Sequence, residues 1–234
     1  MRVAALYDIH GNAPALDAVL AEIGDDVDIV VGGDFVGPQP TIERLKALGS
    51  RVHFIGGNGE RELVRPSPPR EGGPPPEVLD WMRKRLSAEE TEFISSLPLT
   101  VTIGVDGLGP VLFCHATPRS DEEILTAISP DDRWCGVLDE VAERTVVCGH
   151  THVQFDRTVD EIRVVNAGSV GMPYEDEPGA YWALLGPDVD LRRTEYDVDR
   201  ALAEIAATGF PEEWPRASRD EATEFFEKVA RGET

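Results

Sequence analysis

The chain has 234 residues, 41% of them hydrophobic and 28% charged, with 22 basic against 44 acidic side chains and a formal charge of -22. That length and composition suffice for a buried core and exclude an intrinsically disordered chain. The excess of acid disfavours stable binding of duplex nucleic acid, while small anionic ligands remain compatible wherever bound cations reverse the local potential.

Short runs rich in Val, Ile and Leu open the chain at Val3 to Tyr7, Val27 to Val31 and Val52 to Ile55. Runs of this length bounded by Gly, Asp or Asn predict buried strands. Between the first two, Leu16, Val19, Leu20 and Ile23 recur at helical spacing, with Pro14 tolerated in the first turn and Gly24 as a stop. Thr41 to Leu48 predicts a second helix, so the first 60 residues read as consecutive βαβ units of a parallel sheet.

The proline-rich stretch Pro66 to Pro76 predicts a loop. Glu77 to Leu97 then reads as a helix, and 66–97 together as an insertion placed to cap a site. From Thr100 the pattern turns to strands at Thr100 to Val105, Val111 to Cys114, Val146 to Cys148, Phe155 to Val159, Ile162 to Asn166 and Tyr181 to Leu185. Helices are expected around Asp121 to Ile128 and Leu138 to Arg144. Two further helices, Arg200 to Ala207 and Arg219 to Val229, form an acidic extension over 196–234, expected outside the core of a main domain spanning 1–195.

No run approaches the ~18 apolar residues of a membrane span, and the start of the chain lacks a signal-peptide core. A cytoplasmic protein without a membrane partner is expected. Cys114, Cys135 and Cys148 are odd in number and lack CxxC spacing, which points to reduced thiols.

Polar clusters follow the apolar runs directly: Asp8-Ile9-His10, Gly33-Asp34, Gly57-Asn58, His115 and Gly149-His150-Thr151-His152. Carboxylate, amide and imidazole are the donor types that suit first-row divalent metals. Four of the five histidines fall in these clusters, and only His53 lies within a strand-like run. Any one cluster alone is a common turn sequence. Their recurrence at strand ends, where open α/β sheets place ligands, gathers them on one edge.

The ordered set D-x-H, G-D, G-N, H, G-H-x-H resembles the calcineurin-like metallophosphoesterase superfamily over approximately Arg2 to Leu185. The resemblance implies an α/β fold, a two-sheet αββα sandwich with the blocks along one rim. It implies two divalent metals, with Mn favoured over Fe, Zn or Ni. Asp8, His10 and His152 would hold one metal, Asn58, His115 and His150 the other, and Asp34 would bridge them. Asp34, Asn58 and His115 are thus expected to be catalytic, in hydrolysis by metal-activated hydroxide.

Two departures narrow the substrate. Gly59 stands where protein phosphatases of the superfamily carry a histidine that protonates the leaving oxygen, and Phe35-Val36-Gly37-Pro38 replaces their arginine-bearing segment. General-acid help is worth ~10²–10⁴ in rate, so its absence favours diesters with good leaving groups or phosphoanhydrides. Asp8 to Asn12 and Asn166 to Gly171 resemble the small bacterial and archaeal branch that includes phosphodiesterases and dinucleoside polyphosphate hydrolases, although Ala167 stands where that branch usually has proline.

Asn12, Gly59, Arg61 and Arg119 are the expected substrate contacts, and Tyr174 and Trp81 are placed either to stack on a base or to join the core. Glu60 either bonds near the site or starts a helix. A small phosphodiester or nucleotide is the expected substrate. The alternatives are a dinucleoside polyphosphate, a phosphomonoester, and a metal-free scaffold of the same fold.

Overall fold

The computed structural model describes residues 1–65, 74–211 and 215–233. Ten strands form two five-stranded sheets. The first sheet has the order β10-β9-β1-β2-β3, built from β1 (Arg2–Leu6), β2 (Val27–Val31), β3 (Val52–Phe54), β9 (Ala180–Leu185) and β10 (Val189–Thr194). The second runs β4-β5-β6-β8-β7, from β4 (Thr100–Val105), β5 (Gly109–Cys114), β6 (Thr145–Cys148), β7 (Phe155–Val159) and β8 (Ile162–Asn166). The three N-terminal strands pair in parallel, with Ala4 opposite Ile29 and Ile29 opposite Val52, so their carboxyl ends share one rim. In the second sheet β5, β6 and β8 are likewise parallel.

Strand alternation sorts the core into layers. Val3, Ala5 and Tyr7 face the second sheet and meet Val111, Phe113, Val147 and Val165. Ala4 and Leu6 point the other way, onto Leu16 and Val19 of α1 (Ala13–Glu22). On the outer face of the second sheet, Cys114, Val146, Cys148 and Val164 pack against Trp134, Val137 and Leu138 of α6 (Asp131–Leu138). The two cysteines therefore lie in the core, as alternation from His115 requires. Full burial of each large apolar side chain contributes roughly 1.5–3 kcal/mol. The Tyr7 hydroxyl crosses the middle layer to donate to the Val147 carbonyl at 2.9 Å.

The remaining helices are α2 (Ile42–Lys46), α3 (Asn58–Val64), α4 (Pro76–Arg83), α5 (Ala88–Ser95), α7 (Val198–Ala207) and α8 (Arg219–Arg231). Among the described residues no helix is long and apolar enough to cross a membrane.

Several expectations need correction, and one strand was missed. The helix read over 77–97 is two, because Ser87 and Glu90 form a reciprocal capping box that starts α5 afresh. Such a box satisfies two backbone N–H groups that a continuous helix would bond internally. The helices expected at 121–128 and 138–144 are absent, and a single helix, α6, lies between them. Pro130 sets its start and Asp131 and Asp132 complement its N-terminal dipole. The strand β10 was hidden by Asp190, Arg192 and Arg193, the polar face of an edge strand paired on one side only. Of the loop expected at 66–76, residues 66–73 lie outside the described residues, and Pro76 already opens α4.

Candidate active site

Each polar cluster emerges where a parallel strand ends: Asp8 and His10 after β1, Asp34 after β2, Asn58 after β3, His115 after β5, His150 and His152 after β6. The backbone there is unusual. Among the described residues six non-glycine positions have left-handed φ, and five of them are Asp8 (52°), His10 (47°), Asp34 (50°), His150 (66°) and His152 (57°). Such conformations cost on the order of 1–3 kcal/mol each and persist only where the surroundings over-determine them. Five together consume a large share of the ~5–15 kcal/mol net stability of a domain.

Hydrogen bonds supply that over-determination. The first two loops are zipped together by Asp8 N–H to the Gly33 carbonyl (3.1 Å), His10 N–H to the Asp34 carbonyl (2.8 Å) and Gly11 N–H to the Phe35 carbonyl (3.2 Å). Glu60, fully buried at the start of α3, accepts from four backbone N–H groups. These are Asp34 (2.7 Å) and Gly57 (3.0 Å) on one oxygen, and Phe35 (2.9 Å) and Val36 (3.0 Å) on the other. Burial and the nearby Asp34 carboxylate push its pKa up to about 7 despite these bonds. The loop from Asn166 to Gly171 holds the remaining backbone. Asn166 donates to the Gly149 carbonyl (2.6 Å) and Thr151 Oγ1 (3.1 Å), while Ser169 Oγ (2.7 Å) and Gly171 N–H (3.0 Å) donate to the Asp8 carbonyl.

Close approach demands glycine at Gly33, where φ is +92° and a Cβ would stand 2.6 Å from His115 Nδ1, and at Gly57, where it would meet Asp34 Oδ1 at 2.2 Å. The latter contact is severe because Asp34 Oδ1 is pinned by the Gly59 N–H at 2.7 Å.

The imidazoles are oriented from behind. His115 Nδ1 faces the Gly32 carbonyl at 2.8 Å and His152 Nδ1 the Met172 carbonyl at 2.6 Å. A carbonyl requires the proton on Nδ1, so in the neutral ring each Nε2 turns a lone pair inward, the arrangement seen where histidines ligate metals. Those lone pairs meet further acceptors. His115 Nε2 lies 3.2 Å from Asn58 Oδ1, and His152 Nε2 lies 3.1 Å from His10 Nε2 and 3.2 Å from Asp8 Oδ1. Asp8 Oδ1 is buried and accepts no hydrogen bond from the described residues, although Oδ2 accepts from His150 N–H at 2.8 Å.

Acceptors converging on acceptors are mutually repulsive, and a cation at their centre reverses the sign. Two overlapping donor groups fit one: Asp8, His10 and His152, and Asp8, Asp34 and His115, with ligand atoms in each within 4.8 Å of one another. The shared carboxylate is that of Asp8.

Charges respond to this crowding. Burial, reinforced by the neighbouring His152, holds His10 down to about 4; burial and His115 do the same for His150, so both imidazoles are neutral at neutral pH. For His115 burial works against protonation, but the carboxylates of Asp34 and Asp8 outweigh it and raise its pKa. For Asp8 burial favours the neutral acid, yet the imidazoles of His152, His115 and His10 hold it below the ordinary carboxylate range.

The floor opens into a cavity of about 290 Å³ lined by His10, Asp34, Asn58, Gly59, His150 and His152, with walls from α4 and α8.

Of the expected substrate contacts only Gly59 lines this cavity. Asn12 is buried and caps α1, accepting from Ala15 N–H and donating to the Gly171 carbonyl and the Tyr196 hydroxyl. Arg61 is engaged by Asp121 (2.7 Å) and Glu122 (2.5 Å), and Arg119 by Glu123 and the Gly136 carbonyl. Trp81 packs against Arg85 and the lining residue Phe210 without itself lining the cavity, whereas Tyr174 lines the cavity and stacks on His152. Sequence reasoning left the four-donor role of Glu60 open and missed the Met172 carbonyl. The Gly-x-x-Glu spacing from Gly57 to Glu60 is the signal that could have disclosed the first.

Comparison with known proteins agrees with this rim of strand ends. The profile of the calcineurin-like phosphoesterase superfamily domain matches residues 1–186. The chain belongs to that superfamily. The structure of a metallophosphoesterase from Sphaerobacter thermophilus is similar at 27% identity and a TM-score of 0.72, over 91% of this chain and 95% of that one. A protein of Pyrococcus horikoshii is similar at 25% identity and a TM-score of 0.75, with the same coverage. An uncharacterized protein of Methanocaldococcus jannaschii is 27% identical over 90% of this chain and 94% of its own length. Both structural relatives extend past residue 186, so the likeness takes in part of the chain beyond the superfamily domain. The two-sheet sandwich inferred from the motif order is the fold of this calcineurin-like phosphoesterase.

Proposed function

We propose that this calcineurin-like phosphoesterase is a binuclear metal-dependent phosphodiesterase acting on small esters, with Asp8, His10, Asp34, Asn58, His115, His150 and His152 as metal ligands and Mn²⁺ as the favoured ion. The observation that carries this reading is the convergence of inward Nε2 lone pairs on the unsatisfied Asp8 Oδ1, held by backbone strained at five of the seven positions. Divalent cations bound there would activate water near neutral pH and neutralise charge on the phosphoryl oxygens.

The protein's own contribution is positional. Glu60 fixes the loops carrying Asp34 and Asn58, and the Gly32 and Met172 carbonyls fix the imidazole tautomers. The Asn58 amide is placed to orient a phosphoryl oxygen. In the net reaction an oxygen–phosphorus bond forms from water and the ester bond breaks. The leaving oxygen takes its proton from solvent, since Gly59 offers no imidazole. Rates should therefore fall steeply as the leaving alcohol becomes more basic.

The test is hydrolysis of bis-p-nitrophenyl phosphate by chelator-stripped protein before and after Mn²⁺ is added, beside p-nitrophenyl phosphate. Metal-restored turnover that favours the diester is expected. Turnover that persists after the chelator has removed all metal would sink the proposal.

A further inference from the structure

An apolar surface runs outward from the candidate metal cluster. Tyr174 stacks on His152 at 5.0 Å with its plane tilted by 20°, Phe226 lies 6.1 Å from Tyr174, and Phe225 lies 5.6 Å from Phe226. Val78, Leu79 and Met82 of α4 line the same cavity, as does Val229 of α8. Phe225 is 47% exposed beside it, an aromatic surface left open rather than spent in the core.

The charge pattern of the lining is as informative as its apolar part. Among the described lining residues there is no lysine or arginine, and the one carboxylate outside the cluster, Glu122, is held by Arg61. A polyphosphate chain needs charge-assisted partners for each phosphate beyond the reacting one, and the described lining residues of the walls offer none. The size points the same way. About 290 Å³ lies just below the ~300–1,000 Å³ of most ligand pockets, which favours a small substrate.

We propose that the cavity selects phosphate esters bearing a single apolar or aromatic group, seated between α4 and the Phe225–Phe226 face of α8, and discriminates against polyphosphates. This deepens the phosphodiesterase reading and rests on it for the position of the phosphoryl group.

Phenyl p-nitrophenyl phosphate and methyl p-nitrophenyl phosphate share a leaving group, so their kcat/KM ratio isolates the seat of the other substituent. A ratio of about tenfold or more in favour of phenyl is expected, the scale of hydrophobic-pocket discrimination, with diadenosine tetraphosphate well below both. Phe225→Ala, at a half-exposed position that leaves no core void, should reduce the ratio several-fold, as should Met82→Ala on α4. Equal use of both esters, an unchanged ratio in both variants, or diadenosine tetraphosphate as the best substrate would overturn the proposal.

Binding provides a readout independent of turnover. Calorimetry of phenylphosphonate against methylphosphonate, on the full chain with and without Mn²⁺, should show the same preference and the same loss in Phe225→Ala. If that preference holds while no ester turns over, the hydrolytic reading fails and the apolar seat stands. If neither phosphonate binds, or both bind equally, the seat itself is refuted.

Discussion

The floor and the walls of the cavity are built on opposite principles. The floor is polar and mostly buried, and it stands at the ends of parallel strands on left-handed backbone that four N–H bonds to Glu60 help hold in place. The walls are amphipathic helices, α4 and α8, in ordinary conformation, contributing side chains rather than backbone geometry. A floor of converging acceptors tolerates little change, because a cation held there would lose affinity with each ligand removed or displaced. A helical wall tolerates substitution and tunes what enters. On the proposed reading, chemistry and selectivity fall on separate parts of the chain.

Substitutions should grade accordingly. Asp34→Asn removes charge from the floor and should lower metal-dependent turnover by more than about 10²-fold, since even residues that only support ligands cost ~10–100-fold in metal affinity. Activity equal to wild type would break the proposed division. Glu60→Gln is next. A carboxamide has one acceptor oxygen, so two of the four backbone N–H groups lose their partner at about 1–3 kcal/mol each. The melting temperature should drop by at least about 4 °C, and metal affinity, measured by competition with a chelating dye, should weaken by ~10-fold or more.

On the wall, Tyr174→Leu removes the ring stacked on His152 while keeping an apolar side chain. It should raise KM for aryl esters about threefold to tenfold with metal stoichiometry intact, because the substrate's ring would lose an aromatic partner worth ~0.5–1.5 kcal/mol. Loss of metal would instead assign Tyr174 to the floor. His53→Ala should change turnover less than about twofold. Its ring pairs with Asp28 at 3.3 Å on a half-exposed strand, away from the cavity, and substitutions at such positions are usually within ±0.5 kcal/mol of neutral.

The same division explains what could be read from the sequence. Asp8, His10, Asp34, Asn58, His115, His150 and His152 could be singled out as candidates because metal chemistry would restrict residue type and strand ends restrict position. The structure brings all seven to one rim. The parallel N-terminal strands were legible from their apolar runs. The walls were not, because Val78, Leu79, Phe225 and Phe226 belong to helices whose amphipathic pattern is the same whether they face a core, a cavity or solvent. The helices misplaced around α6 fell where Pro130 and the tertiary bonds of Glu227 to Thr126 and Ser129 override local periodicity. Arg61 and Arg119 looked available for phosphate because a sequence does not show which acids fold beside them.

Metal stoichiometry measured together with turnover tests the central claim most directly. Chelator-stripped protein titrated with Mn²⁺ should bind two ions per chain, with bis-p-nitrophenyl phosphate hydrolysis rising as the sites fill and both properties absent in Asp34→Asn. A chain that binds no Mn²⁺, or one whose turnover is the same with and without it, would contradict the account.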